Sequence, residues 1–303
     1  ARDHEGQYLL VNEATARALG TDVAHLTGAS LQEHGSRAQG DMLHEDRSFL
    51  SQGDAAVVSE ELFCDASGEN HVLQTHKVPF RSSGNGFPVV LSVSVDITPQ
   101  KRVEERLRTT MEGVIRTLSG VLEKRDPYTV GHQERVAELA VAVASQMGLA
   151  PDRVEGIRIA SLLHDIGKIG IPAEILSKPG HLTKNEYTLV QDHPRIGWEI
   201  LKNIDFSWPV ADFVLQHHER MDGSGYPGGL RGSTILIEAR IIAVADVVEA
   251  MTSHRPYRAS LGATRALQEV LQHRSTLYDS SVVDAFLEVF EQGFSGLEEP
   301  LAK

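Results

Sequence analysis

The stretch "DRVEGIRIASLLHDIG", from Asp152 to Gly167, decides the fold class of the second half of this 303-residue chain. Its apolar residues recur densely at helical spacing, and a glycine at the end of such a run is a usual helix stop signal. The pattern therefore predicts a buried helix. His164 and Asp165 lie at the end of that helix, so this polar pair needs a chemical reason for its position.

The same periodicity continues on both sides of this helix. From residue 126 onward the pattern is helical almost throughout, which predicts an all-α domain. Further helices are predicted at 133–148, 194–203, 209–219, 239–252, 263–272 and 280–291.

The first 98 residues differ, and their pattern is typical of an α+β domain. A short strand at 5–12 precedes a short helix at 13–20, which Gly20 closes. Two longer strands are predicted at 70–80 and 87–98, with a glycine-rich hairpin turn between them.

Residues 99–124 form a third segment between these two regions. Their apolar residues follow the a and d spacing of a heptad repeat, namely Leu107, Met111, Val114, Leu118 and Val121. This spacing fits a coiled coil that pairs two copies, and it equally fits an amphipathic helix that caps the next domain. The two interpretations are compatible.

The composition limits the classes of function. A formal net charge of −13 argues against a broad nucleic-acid-binding face. No apolar run is long enough to span a bilayer, so we expect no membrane segment in this chain. The single cysteine, Cys64, suits a reducing cytoplasm.

Several of the 14 histidines lie where core residues are expected. His217 and His218 continue the apolar face of helix 209–219, and Asp246 lies in a helix that is apolar on nearly every side. Buried imidazoles and carboxylates need partners, and a metal ion satisfies both. The predicted ligands are His132, His164, Asp165, His193, His217, His218 and Asp246.

This set suits two six-coordinate ions better than one four-coordinate ion, and Asp165 has two oxygens with which to bridge them. No single element of the set is informative, since a His-Asp or His-His doublet is frequent by chance. His132 alone fits an ordinary buried or surface histidine, and His193 alone fits a helix cap before Pro194. The prediction depends on polar residues occurring together on the inner faces of several helices.

Six motifs occur in an order and spacing that resemble the HD-GYP family of cyclic di-GMP phosphodiesterases, a branch of the HD metal-dependent phosphohydrolases. They are "RDPYTVGHQERV" (125–136), "LLHDIGKIGIP" (162–172), "ILSKPGHLT" (175–183), "HPRIGWEIL" (193–201), "HHERMDGSGYPGGLRG" (217–232) and "ARIIAVADVVEAMTSHRPYR" (239–258). The resemblance covers about residues 112–292. It implies a mainly helical domain with two divalent ions, most often iron and sometimes manganese or another metal.

The resemblance also implies a role for each ligand. One metal is held by His132, His164, Asp165 and Asp246, and Asp165 bridges to a second metal on His193, His217 and His218. Some members bind a third metal through a glutamate at the position of Tyr128, so two metals are expected here. Two such ions lower the pKa of a water between them and stabilise charge on phosphoryl oxygens.

Further residues are predicted to act on the substrate. Lys168, three residues after Asp165, can place an ammonium on the same phosphate, although a solvated helix-end lysine is the alternative. The resemblance assigns nucleotide binding to Arg255 and Arg258, whose guanidinium forks match phosphate or the guanine edge. Asp126 and Tyr226 are weaker candidates, since they also suit a helix cap and a packed loop.

The front region resembles a PAS sensor domain. "DHEGQYLLVNEATARALG" (3–20) opens it, and "VDITPQKRVEERL" (95–107) marks its exit into a signalling helix. A PAS domain binds haem, flavin, a small metabolite or nothing. The candidate haem ligands are His34, His44, His71 and His76, and Cys64 lies in a predicted strand without a flavin-adduct motif.

These observations predict a cytoplasmic bacterial protein with three parts: a PAS sensor at 1–98, a signalling helix at 99–124 and an HD-GYP domain at 125–303. The expected activity is hydrolysis of cyclic di-GMP to pGpG or GMP. A catalytically silent cyclic di-GMP receptor is one alternative, and a phosphodiesterase for cyclic GMP-AMP is the other. The expected partners are a second copy of the chain, bound through the PAS domain and linker helix, and a diguanylate cyclase.

Overall fold

The computed structural model describes residues 1–30, 57–81, 88–125, 131–253 and 260–294. The chain divides into two compact units, Ala1–Thr110 and Met111–Lys303. Among the described residues, no helix combines the length and the apolar composition that crossing a bilayer requires.

The first unit contains a four-stranded antiparallel sheet with the strand order β1-β4-β3-β2. Two short helices, α1 and α2, contact each other and enclose a small core of Tyr8, Ala16 and Leu26. The bounds are β1 Arg2–Asp3, α1 Glu13–Ala18, α2 Val23–Leu26, β2 Val57–Cys64, β3 Asn70–Arg81 and β4 Pro88–Asp96. The α+β class expected for this region is confirmed.

The strand predicted at 5–12 is wrong. Tyr8 and Gln7 make only isolated bridges, to Arg2 and Ser30 respectively. The Asp3 carboxylate accepts the main-chain N–H groups of Glu5 and Gln7, and Gly6 has a positive φ of 85°. These bonds turn the chain back immediately after β1. Of the apolar residues that follow, Tyr8 is buried in the small core, whereas Leu9 and Leu10 are exposed.

Helix α3, Thr98–Arg125, begins where β4 ends. Asp96 accepts the N–H of Thr98 at 2.8 Å, and the Thr98 hydroxyl accepts the N–H of Val72 at 2.8 Å, which ties the helix start to β3. Farther along, Ile115 and Leu122 are buried in the core of the second unit. The heptad residues lie on a neighbouring face and are exposed: Leu107, Met111, Val114, Leu118 and Val121.

The second unit is helical, as the periodicity predicts. Its core is formed mainly by α4, α5, α9, α10 and α12, with Leu139, Ile157 and Phe213 among the buried side chains. The bounds are α4 His132–Gln146, α5 Pro151–Leu163, α6 Ala173–Leu176, α7 Lys184–Val190, α8 His193–Leu201, α9 Val210–Gln216, α10 Ile237–Thr252, α11 Ala263–Gln272 and α12 Ser280–Glu291.

Helix α5 ends earlier than its sequence pattern suggests. It stops at Leu163, and a short 3₁₀ helix, Ile166–Gly170, follows. Gly167 of this segment lies so close to α8 that a β-carbon there would collide with the carbonyl of His193 and approach the nitrogen of Gly197 at 2.6 Å. This close approach brings the end of α5 and the start of α8 together.

Candidate metal centre

All seven predicted ligands meet inside the second unit, although they come from α4, α5, α8, α9 and α10 and the segments that follow two of these helices. Most are deeply buried: His132, His164, Asp165, His193 and His217 each expose no more than 3% of their surface. Five imidazoles and two carboxylates in one interior are not explained by packing alone.

One group of donors joins α4, α5 and α10. His132 Nε2 lies 3.2 Å from Asp246 Oδ1, and His164 Nε2 lies 4.0 Å from the same oxygen. The three donor atoms of this group lie within 4.8 Å of one another, close enough for a single cation to contact them all.

A second group consists of His193, His217 and His218, and its donor atoms also lie within 4.8 Å of one another. His193 Nε2 is 3.4 Å from His217 Nε2, and the rings of His217 and His218 are 4.0 Å apart between centroids. Three imidazoles facing one point suit a transition-metal ion.

Asp165 lies between the two groups and presents a different oxygen to each. Its Oδ2 is 3.5 Å from His164 Nε2 in the first group, and its Oδ1 is 3.4 Å from His193 Nε2 in the second. The buried carboxylate therefore has the position of a bridge between two adjacent sites.

The hydrogen bonds behind the imidazoles test whether the residues fit a metal. His164, His193 and His217 each place Nδ1 2.6–2.7 Å from the carbonyl oxygen three residues earlier in the chain. A carbonyl can only accept, so Nδ1 carries the proton and Nε2 of the neutral ring is left as the inward-facing donor atom. This outer hydrogen bond is the usual support of a metal-ligating histidine.

The electrostatics of the second group keep its imidazoles neutral. Burial is the main cause, and neighbouring imidazoles add to it. The pKa of His217 is lowered to about 3, and the pKa values of His193 and His218 are also lowered. Neutral imidazole is the form that binds metal, so these rings need not lose a proton first.

The carboxylates are held ionised. Burial acts to raise the pKa of Asp165, but nearby positive charge, first of all that of Lys168, outweighs it and holds that pKa well below its usual range. Asp246 behaves likewise, because hydrogen bonding and charge from His132 overcome the effect of burial on its pKa. Burial also opposes charge on His132, yet its bonds to Asp246 and Glu249 raise its pKa to about 9.

Two predicted substrate residues border the ligands. The Lys168 ammonium is 2.8 Å from Asp165 Oδ2 and partly exposed, so its charge reaches the edge of the centre. The Tyr226 ring lies 4.7 Å from the His218 ring and 6.5 Å from the His193 ring. Burial raises the pKa of Tyr226, which keeps its hydroxyl protonated.

The structure describes only some of the remaining candidate residues. Asp126, Tyr128, Arg255 and Arg258 lie outside the described residues, as do His34 and His44. Of the other two haem candidates, His76 is exposed on β3. Both ring nitrogens of His71 face carboxylates, Asp96 at 3.0 Å and Asp65 at 3.6 Å.

Sequence reasoning missed two buried glutamates beside the centre. Glu249 contacts the Nδ1 atom of His132. Glu219 accepts the N–H groups of Gly228 at 2.6 Å and Leu230 at 2.9 Å, which folds the glycine-rich loop behind His218. The signal for Glu249 was present, since it lies one turn after Asp246 in the same largely apolar helix.

The glycines of this loop also have a structural cause. At Gly225 a β-carbon would lie 2.5 Å from the Cα atom of Glu219 and from the carbonyl oxygen of His218. Only a glycine allows the loop to fold back against the two histidines.

Comparison with known proteins agrees with this geometry. The sequence profile of the HD domain family matches residues 116–282, and that of the PAS fold matches residues 1–102. The cyclic di-GMP phosphodiesterase response regulator RpfG of Xanthomonas campestris pv. campestris is 44% identical over 193 residues, which cover 63% of this chain and 50% of that protein.

Two other relatives have related names. A cyclic di-GMP phosphodiesterase of Thermotoga maritima is 43% identical, over 58% of this chain and 48% of its own length. The 3'3'-cGAMP-specific phosphodiesterase 1 of Vibrio cholerae is 36% identical, over 58% of this chain and 41% of its own. The chain thus spans about half the length of the curated relatives it matches.

Proposed function

Because this chain belongs to the HD domain family, with the HD-GYP type of motif set and a PAS fold ahead of it, we propose that it is a sensory phosphodiesterase that hydrolyses cyclic di-GMP to pGpG, GMP or both. The observation that carries the proposal is the pair of donor groups that share Asp165. Such a pair is the arrangement that two-metal hydrolysis of a phosphodiester requires.

The seven ligands would hold two divalent ions. His132, His164 and Asp246 would take the first, His193, His217 and His218 the second, and Asp165 would contact both. An imidazole-rich set with carboxylates suits iron, with manganese as the alternative. When bound, these ions supply Lewis-acid polarisation of the phosphoryl oxygens and lower the pKa of a nearby water.

The protein's own groups then bind and orient the phosphodiester. Lys168 is held by Asp165 at the edge of the centre, where its ammonium can pair with a phosphate oxygen and offset the growing negative charge. Tyr226, protonated and against His218, can donate a hydrogen bond to the nucleotide. Arg255, Arg258 and Asp126 are proposed to contact the bases and phosphates, on the resemblance of their motifs.

Metal analysis and turnover test the proposal together. Protein purified without oxygen should contain close to two equivalents of iron or manganese per chain and should convert cyclic di-GMP to linear product. Cyclic GMP-AMP is assayed beside it, because some similar proteins are named for that substrate. Faster turnover of cyclic GMP-AMP would reassign the substrate. No turnover of either compound with both metals bound would favour a silent receptor.

We also assign residues 1–98 to the PAS sensor, 99–124 to the signalling helix and 125–303 to the catalytic domain. The exposed heptad face of α3 supports pairing with a second copy. Apolar residues at the a and d positions of one helix pack against the same positions of a second helix in a coiled coil. The particle mass in light scattering tests this. A diguanylate cyclase partner, a haem on the sensor and a cytoplasmic location remain part of the proposal.

A further inference from the structure

In the described part of the chain, Glu249 is the one carboxylate outside the predicted ligand set that contacts the outer ring nitrogen, Nδ1, of a predicted metal ligand. It lies on α10, three residues after Asp246, and exposes only 3% of its surface. Its Oε2 contacts the Nδ1 atom of His132, while Asp246 faces the other ring nitrogen. The His132 imidazole is therefore held between two carboxylates on successive turns of the same helix.

The other oxygen of Glu249 is held in place from two sides. Oε1 accepts from Arg135 Nε at 2.7 Å and Nη2 at 2.6 Å, and the Ser253 hydroxyl also donates to it. These bonds leave the carboxylate little freedom to rotate. They also connect α4, through Arg135, to Ser253, which directly follows α10 and lies two residues before Arg255 in the sequence.

His132 differs from the other supported imidazoles in how its ring is oriented. His164, His193 and His217 use main-chain carbonyls, which belong to the helices themselves. His132 is the first residue of α4, where the helix dipole disfavours positive charge on the ring. A carboxylate at Nδ1 both fixes the tautomer and makes Nε2 a stronger donor.

We propose that Glu249 is a positioning residue that directs His132 Nε2 toward Asp246, so that the first of the two metal sites is assembled before a metal arrives. The inference rests on the proposed function, because it assumes that His132 is a ligand. It adds a residue that touches neither metal nor substrate and acts only through the imidazole.

The test compares Glu249→Gln with Glu238→Gln. Glu238 is a matched control, because it is on the same helix, is equally buried and also pairs with an arginine, Arg153. Glutamine at 249 keeps the shape but loses the charge, and its amide would turn a donor toward Arg135 or His132. Each variant and the wild type are stripped of metal and titrated with manganese and cobalt, with a chelator as competitor.

We expect Glu249→Gln to bind one of the two ions about 10–100-fold more weakly, while the other ion keeps its wild-type affinity. The visible spectrum of the cobalt form should change for that one site. Glu238→Gln should bind both ions as the wild type does, even where its thermal midpoint falls. Equal affinities in Glu249→Gln and wild type, or equal losses in the two variants, would overturn the inference.

These outcomes separate the inference from the proposed function. Wild-type protein that binds two ions but hydrolyses no cyclic dinucleotide would defeat the proposed function and leave the role of Glu249 standing. If the wild type hydrolyses the substrate but Glu249→Gln binds metal as the wild type does, the proposed function would stand and the role of Glu249 would be overturned. Glu249→Ala is a second variant with the same expected selectivity, and its metal-free thermal midpoint shows whether the fold is retained.

Discussion

The histidines of the two units behave in opposite ways. In the helical unit, burial lowers the pKa of His217 to about 3, and its Nε2 faces the Nε2 atom of His193, another candidate metal ligand. In the sheet unit, the hydrogen bond to Asp96 raises the pKa of His71, whose ring bridges Asp96 and Asp65 near the surface. The same side chain is a neutral candidate metal ligand in one place and an ion-pair partner in the other.

The difference shows what a histidine needs in order to be a metal ligand. His217 has a main-chain carbonyl at Nδ1, so its Nε2 stays available. His71 has a carboxylate at each nitrogen, so it is better satisfied as an imidazolium. His132 is intermediate, because it is nearly as buried as His217 yet has a carboxylate at each ring nitrogen.

Removing the bridging carboxylate should have the largest effect. Asp165→Ala should lower turnover by about three orders of magnitude or more and reduce bound metal, since each ion supplies several kcal/mol of transition-state stabilisation. Steady-state kinetics and elemental analysis measure both. Asp284→Ala, which breaks only a surface pair with Arg274, is the control. Near-normal turnover with full metal in Asp165→Ala would exclude the bridging role.

Adding one methyl group beside the centre should have the next largest effect. In Gly167→Ala the new β-carbon would collide with the His193 carbonyl, so we expect a loss of about 3 kcal/mol in the free energy of unfolding. Bound metal should fall as well, because α8 carries His193. Gly113→Ala has open space around it within α3 and should stabilise by about 0.5–1 kcal/mol. Denaturant titration of both variants checks the contrast.

The smallest effect is expected in the sheet unit. Because the folded pKa of His71 is above its usual value, its stabilising contribution is present below about pH 6.5 and is lost as pH rises through the folded pKa. His71→Gln should therefore lower the thermal midpoint more at pH 6 than at pH 9, with no change in metal content. His76→Gln, exposed on the same strand, is the control. A pH-independent difference would contradict the ion-pair role.

Sequence reasoning worked where a residue violates a local pattern. His217 and Asp246 could be selected because polar side chains interrupt apolar helix faces. Glu249 interrupts the same helix as Asp246 and could have been selected on that ground, but its partner His132 is 117 residues away in the chain. The strand predicted at 5–12 failed although it contains apolar residues, because only Gln7 and Tyr8 find bridge partners and Leu9 and Leu10 are exposed.

The sequence by itself determined most helices of the second unit, though not α6 and α7, the α+β class of the first and the chemical types of the seven donors. These follow from periodicity and residue chemistry, which act over a few residues. Only the tertiary structure decided that Asp165 presents one oxygen to each donor group, that three Nδ1 atoms use main-chain carbonyls, and that Glu249 contacts the Nδ1 atom of His132. Such pairings depend on how distant helix ends pack. Gly167, for example, has no β-carbon and so allows the start of α8 to lie against the segment after α5, and no local pattern encodes that contact.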